Sequence, residues 1–545
     1  MIFTRHTLSR LFGSRPAALL TCLALVASVG LVRVVGEQED QPVDFTHNIF
    51  DAPAPVAGAV FGTGPALRPG DRICTTAPQT TPNADTDCEK IGPSNETSIA
   101  VNPTNELNMI GGANDYQLGI NSGGHISETV LSRAHVTFDG GTTWSEYPIF
   151  FQAGSAYQGT GDPAVAFDAA GHAYYATLGF RFVGPNNALN PDVVVSSSGD
   201  GGRTWSSVRV ASGSGNEGST GDLLDKEYIA AWGDGNAIVT FGDFRLGQKG
   251  SFVSARIFSS VTHDGGKSWS APTVISGSLD QAFVSVPTVA ADGRIYVAFL
   301  NTTDLQTFRD DYELVEVSPE TGALTFGPVK VATTIDGATD YPLAFGRQTY
   351  QHSLFRTWAA GNITADPHDP AHLAVVWSDM RNSTLPAPAN PYAATTNSDV
   401  IFSESTDRGR HWSAPVALTL EGDQFMPWGA FDIHGILRIG FFDRRYDPAN
   451  HKYGYTLATQ ATSGSQLFNL NQLTTALSDP TAGNRWFATT ANALFPFATT
   501  FLGDYSNIAT TRSGGVVAYW TDLRQQACFG GRCGSGQDAF FATAP

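Results

Sequence analysis

Carboxylates recur in this chain at one kind of place, just ahead of or at the start of a short apolar run. Glu96 precedes "SIAV" (98–101), Asp162 precedes "PAVAF" (163–167), Asp225 and Glu227 precede "YIAA" (228–231), and Asp504 precedes "NIAT" (507–510). Carboxyl groups gathered in this way can serve as acid and base, bind a cation, or cap and solvate strand ends. A second set ends the following apolar runs: Asp243-Phe-Arg245, Asp379-Met-Arg381, Asp443-Arg-Arg445 and Asp522-Leu-Arg524. Residues at i and i+2 share one face of a strand. Each Asp can therefore pair with its own Arg or a neighbour's, or the arginines can turn inward to bind an anionic ligand.

These residues need a scaffold that brings strand ends together, and the sequence describes one. The apolar runs named above have counterparts at 287–290, 362–365 and 428–431, which makes seven in all. Each is followed by a second strand, such as "AIVTFGDFR", "LAVVWSDMR" or "VVAYWTDLR", and then by a third. The units recur every 60 to 80 residues, roughly, and four short strands per unit is the signature of a β-propeller. Between strands three and four stands a further repeat: "VTFDGGTTW" ending at Trp144, "SSGDGGRTW" at Trp205, "VTHDGGKSW" at Trp269 and "ESTDRGRHW" at Trp412. Asp-Gly-Gly suits a tight turn with positive φ. The carboxylates of Asp139, Asp200, Asp264 and Asp407 can accept backbone N–H bonds within that turn. The seventh unit ends at Pro545 with no room for a fourth strand, so its outer strand is expected from the N-terminal side.

The pattern S/T-x-D-x-G-x-x-W resembles the Asp box, or BNR repeat, of the sialidase superfamily over residues 95–545. The resemblance implies an all-β propeller of four-stranded blades. Seven units are counted, and the six blades of the family's catalytic members are the alternative. It also implies a tyrosine nucleophile helped by a glutamate, an aspartate as acid/base, and three arginines gripping a substrate carboxylate. Residues of these types on the loops opposite the Asp boxes are Tyr350, Tyr505, Asp504, Glu96 and Asp162 for catalysis, with Arg347, Arg356 and Arg445 for substrate binding. No motif position assigns them, and the family's F/Y-R-I-P arginine motif is absent. The Asp boxes themselves, with Trp144, Trp205, Trp269 and Trp412, fall on the opposite face and read as structural. "HDPAH" (368–372) carries a His-x3-His spacing, but its prolines put it in a surface turn on that same face.

Bulk properties set the surroundings. Arg5, Arg10 and Arg15 precede an apolar run from Ala17 to Val32, so residues 1–36 read as a signal peptide or, alternatively, an uncleaved anchor. Residues 37–90 are rich in Pro, Gly and acids and read as a linker, with 91–545 as the propeller. Cys74, Cys88, Cys528 and Cys533 form an even set in an exported chain, most simply two local disulfides, 74–88 and 528–533. No spacing resembles a zinc site, and no cofactor is expected, although the acidic strand starts leave room for a structural cation. The formal charge is −19, and is more negative once the leader arginines are removed. Such a surface disfavours nucleic acid and anionic lipid and suits a secreted monomer meeting an extracellular glycan or glycoprotein. The leading functional expectation is a sialidase-like exo-glycosidase. The rival is a non-catalytic propeller that binds glycan or protein through the face opposite the Asp boxes.

Overall fold

The computed structural model describes residues 71–545 except 90–91, 121–125, 150–156, 158, 184–187, 215–219, 249–250, 305–308, 336–349, 351–354, 356, 358, 384–395, 481–501 and 530–531. The proposed leader lies outside these residues, as do Arg347 and Arg356.

Seven four-stranded antiparallel sheets follow one another round a ring, so the seven-unit count holds and the six-bladed alternative does not. Six blades are continuous in sequence, at 94–148, 159–212, 221–274, 282–335, 361–418 and 424–472. The seventh combines Asn507–Thr510, Val516–Asp522 and Asp538–Ala544 with an outer strand, Ala84–Asp85, from the other end of the chain. Ala84 pairs with Phe541 and Asp85 with Phe540. The stretch read as linker thus supplies, near its end, the strand that closes the ring.

Blades stack face to face, so their middle strands are covered on both sides and need not alternate polar with apolar. Leu373–Asp379 and Val516–Asp522 are buried at every position. Outer strands keep one wet face: Ser206–Ser212 is mostly exposed. Between blades lie apolar layers. One, at the closing seam, joins Trp144 and Met109 to Tyr519 and Phe541.

The Asp boxes share one hydrogen-bond plan round the aspartate, with variations in the third and fourth copies. Thr137 Oγ donates to Asp139 Oδ1 (2.8 Å) and accepts from Gly141 N, while Asp139 takes the Thr143 N–H (2.9 Å) and hydroxyl (2.7 Å). Trp144 Nε1 then donates to Gly141 O. The same circuit joins Ser198, Asp200, Thr204 and Trp205. Its aspartate part recurs round Asp264, whose Ser268 hydroxyl and backbone N–H bonds hold its carboxyl at about 2, but Trp269 Nε1 makes no such bond. In the fourth box His411 Nδ1 takes the hydroxyl's place on Asp407. The second glycine of the box is needed because φ is positive and the neighbouring blade is close. A Cβ on Gly141 (φ 94°) would lie 2.3 Å from the Phe541 ring. The box is therefore a blade-to-blade contact as well as a turn. His263, between Thr262 and Asp264, bridges Asn236 Oδ1 (2.7 Å) and the carbonyl of Glu320 in the next blade.

Both disulfides form, Cys74–Cys88 and Cys528–Cys533. They fit an oxidising compartment. Among the described residues no helix is long and apolar enough to cross a membrane.

Candidate functional site

The innermost strands share a defect that positions the site. In five blades the pairing with the second strand breaks register, between Asn95 and Ser98, Gly161 and Ala164, Asp225 and Tyr228, Phe283 and Val286, and Phe425 and Trp428. One residue of each break is left-handed: Glu96 (φ 54°), Asp162 (58°), Lys226 (52°), Val284 (50°) and Met426 (48°). Gly503 (φ 85°) stands ahead of the seventh inner strand. A bulge inserts an extra residue and re-aims the side chain there. A non-glycine residue held at positive φ is uncommon enough to mark a constrained position.

Three of these re-aimed side chains meet. Lys226 Nζ lies 3.1 Å from Glu96 Oε1, 2.8 Å from Asp162 Oδ2 and 2.7 Å from Asp504 Oδ2. Lys226, Glu96 and Asp504 are buried, and Asp162 keeps 16% of its side chain exposed. Burial opposes the charge on Lys226, but the fields of Asp162, Asp504 and Glu96 outweigh it and hold the ammonium well above its ordinary value. Glu96 goes the other way. Burial, then the Asp162 charge, push its carboxyl well above the usual carboxylate range, against the pull of Lys226. Asn114 fixes the pair, donating to Glu96 Oε2 (2.6 Å) and accepting from the Asp162 backbone N–H (2.8 Å). Its surroundings thus bias Glu96 toward the neutral form beside the Lys226 ammonium.

Aromatic rings flank it. Tyr505 lies with its ring 5.6 Å from Lys226 Nζ and donates its hydroxyl to Pro163 O (2.9 Å). Tyr228 packs edge-on to Tyr505 and stacks on the half-buried Trp428. These residues line one cleft together with Val284 and Met426, and it has room for about one water molecule.

Glu96, Asp162, Asp504 and Tyr505 are accordingly brought together, although they come from three blades. Tyr350 is elsewhere. It is buried against Phe355 and Phe425, its hydroxyl bonded to Thr357 and Ser398, with the Arg444 guanidinium 5.9 Å from its ring. Arg445 lies against its own Asp443 (2.9 Å) and Tyr446. The other motif arginines behave similarly. Arg381 pairs with Asp379 and reaches Thr333 O of the preceding blade; Arg524 pairs with Asp522 and reaches Thr475. Arg245 is the exception, exposed and 3.5 Å from Asp222, while Asp243 Oδ1 is buried without a hydrogen-bond partner. Among the described residues no three arginines converge on one point. Lys226 was missed by sequence reasoning. The signal available was a lysine between two acids, "LDKEY", at the same strand position as Glu96 and Asp162.

Fold and turn chemistry together define the class: an Asp-box β-propeller of seven blades with a charged cluster where its inner strands meet. No protein-family model matches the chain, and no curated protein matches it. Solved structures are similar in fold at low identity. A protein of unknown function from Dyadobacter fermentans is 10% identical, covering 85% of this chain and 98% of that one, with a TM-score of 0.40. The NanB sialidase of Streptococcus pneumoniae is 7% identical over 88% and 99%, with a TM-score of 0.41. An α-L-arabinanase of Penicillium chrysogenum is 12% identical over 74% and 99%, with a TM-score of 0.38.

Proposed function

We propose that the protein is a secreted propeller that binds an extracellular glycan on the face opposite the Asp boxes, with the Lys226 cluster as the floor of the site. The observation that carries this reading is half-buried Trp428, backed by the buried rings of Tyr228 and Tyr505, beside part-exposed Asp162. Aromatic faces stack on the apolar faces of sugar rings, and a carboxylate accepts from sugar hydroxyls. In a cleft this narrow the sugar would lie over the mouth rather than inside. Binding to a panel of immobilised glycans tests this. Trp428→Ala is expected to weaken capture of the preferred glycan at least tenfold, and unchanged capture would sink the reading.

One observation favours a second reading, hydrolysis: Glu96 is buried in a carboxylate cluster that pushes its carboxyl well above the usual range, the direction a general acid needs. Against it, Glu96 and Asp162 both contact one ammonium instead of flanking an open gap of roughly 5 Å or more, the spacing of paired glycosidase carboxylates. A sialidase mechanism would also need arginines to grip the substrate carboxylate, for which Arg347 and Arg356 are the remaining candidates. Release of 4-methylumbelliferone from its sialoside, abolished by Arg356→Ala, would establish it.

A further inference from the structure

The "HDPAH" turn (368–372) joins the first and second strands of the fifth blade, and both of its histidines pack against the sixth. His368 Nε2 donates to Ile433 O (2.6 Å), a bond the ring can make in either charge state. His372 is placed differently. It is buried, with Nδ1 3.1 Å from Asp366 Oδ2 and Nε2 3.2 Å from Glu404 Oε1. Its ring centre lies 4.7 Å from that of Phe431, at the end of the sixth blade's inner strand. Gln460, at the end of the sixth blade's third strand, donates to the same Glu404 oxygen (3.3 Å). Asp366 is pinned as well. Its Oδ1 takes the His368 N–H (2.8 Å), and a Cβ on Gly435 of the sixth blade would lie 2.6 Å from its Oδ2.

This placement dictates the protonation of the ring. A neutral imidazole carries one N–H and one bare lone pair, and an ionised carboxylate only accepts. In either neutral tautomer, therefore, a bare nitrogen faces a carboxylate oxygen at hydrogen-bond distance. Only the imidazolium gives Asp366 and Glu404 a donor each. No other charge competes for the ring. On its own blade Asp369 caps the Ala371 N–H (2.9 Å), and Arg408 turns away to Asp292 (3.5 Å). The sixth blade offers it Phe431 and Gln460, both uncharged, while Asp432 and Arg438 pair with each other at 2.8 Å. The bond to Glu404, joined by that to Asp366 and opposed by burial, holds the ring's proton above its ordinary value of 6.5.

We propose that His372 is a pH-sensitive latch between the fifth and sixth blades, shut while its ring is charged and slack once it is neutral. Loss of the proton strips one of the two carboxylates of its donor and turns that contact from attraction to repulsion. The pair that holds Phe431 and Gln460 against the fifth blade then loosens. The sign follows from linkage. A histidine whose folded value is raised contributes stability that is complete below its unfolded value and is lost as pH rises through the folded one.

The test is amide hydrogen exchange on the full chain from about pH 5.5 to about pH 9, corrected for the intrinsic dependence of exchange on pH. Peptides covering 366–372 and 431–437 are expected to exchange about tenfold faster at the alkaline end. His372→Gln is expected to remove that response. Glu404→Gln keeps an acceptor for Nε2–H but not the charge, so the response should move to lower pH. It carries the test should His372→Gln not fold. The raised carboxyls of Asp243 and Glu313 also titrate in this range, at about 7. Both remain in every variant, so differences between profiles cancel them. The latch is overturned if these peptides respond alike in the parent and His372→Gln, if their protection grows with pH, or if Glu404→Gln leaves the response where it was.

Discussion

At Lys226 three carboxylates converge on one buried ammonium, so removing that charge leaves them facing one another in a poorly solvated place. Deleting one partner of a buried ion pair typically costs about 3–5 kcal/mol. Lys226→Met is expected to destabilise by that order in urea denaturation. A loss under 1 kcal/mol would mean that water reaches the cluster freely. Asp243 supplies a pH test. Burial, then the Asp222 charge, raise its carboxyl to about 7, with Arg245 opposing. A carboxyl whose folded value is raised binds its proton in the native state while the unfolded chain has released it. Stability therefore falls as pH rises from the ordinary carboxylate range to about 7. Asp243→Asn is expected to flatten that decline and to raise the thermal midpoint at pH 8 relative to the parent. A parallel pH profile would refute the assignment.

Single elements explain why some features could be read from sequence and others not. The Asp box is legible because its hydrogen bonds close within a few residues, from Thr137 to Trp144 and at the three equivalent turns. Blade number was legible because the inner strand and its partner recur with each unit. The axial cluster was half legible. Glu96, Asp162 and Asp504 stood out as acids at strand starts. Their cation did not, because Lys226 is 130 residues from Glu96 and 64 from Asp162 and reaches them only through left-handed bulges. Contacts across the closing seam were not legible either: His135 meets Thr86 and Tyr519 only because ring closure brings them to it. At the turn itself, Asp264→Ala removes the acceptor of the Ser268 N–H and hydroxyl bonds. About 1–2 kcal/mol of stability should be lost. Glycan binding should be unaffected, since the box lies on the other face. A binding defect at unchanged stability would contradict the structural role.

Across the whole molecule, the ring depends on a short N-terminal segment that stitches three blades. Ile73 N bonds to Glu146 O, Thr76 N to Trp144 O and Gln79 N to Thr142 O, which edges the first blade. Ala84–Asp85 then completes the seventh. Asn83 ties the end of the sixth, donating to Leu473 O and accepting from Thr475 N and from Arg524 of the seventh. Cys74–Cys88 links the two ends of this segment. A disulfide closing a loop of this length, 14 residues, stabilises by roughly 3 kcal/mol in the chain-entropy account. Cys528–Cys533 closes only 5 and belongs to a hairpin beyond the blade sheets. The two bonds should therefore be unequal. Cys74→Ser with Cys88→Ser is expected to lower the thermal midpoint by several degrees, and Cys528→Ser with Cys533→Ser by less. Deleting residues 71–89 should do more than either. It removes the closing strand and the Asn83 stitch together and leaves the Phe540–Phe541 edge open for pairing with other chains. The checks are scanning calorimetry and light scattering against a chain that begins at residue 71. Equal midpoints and no aggregation would show that the ring closes without its clasp.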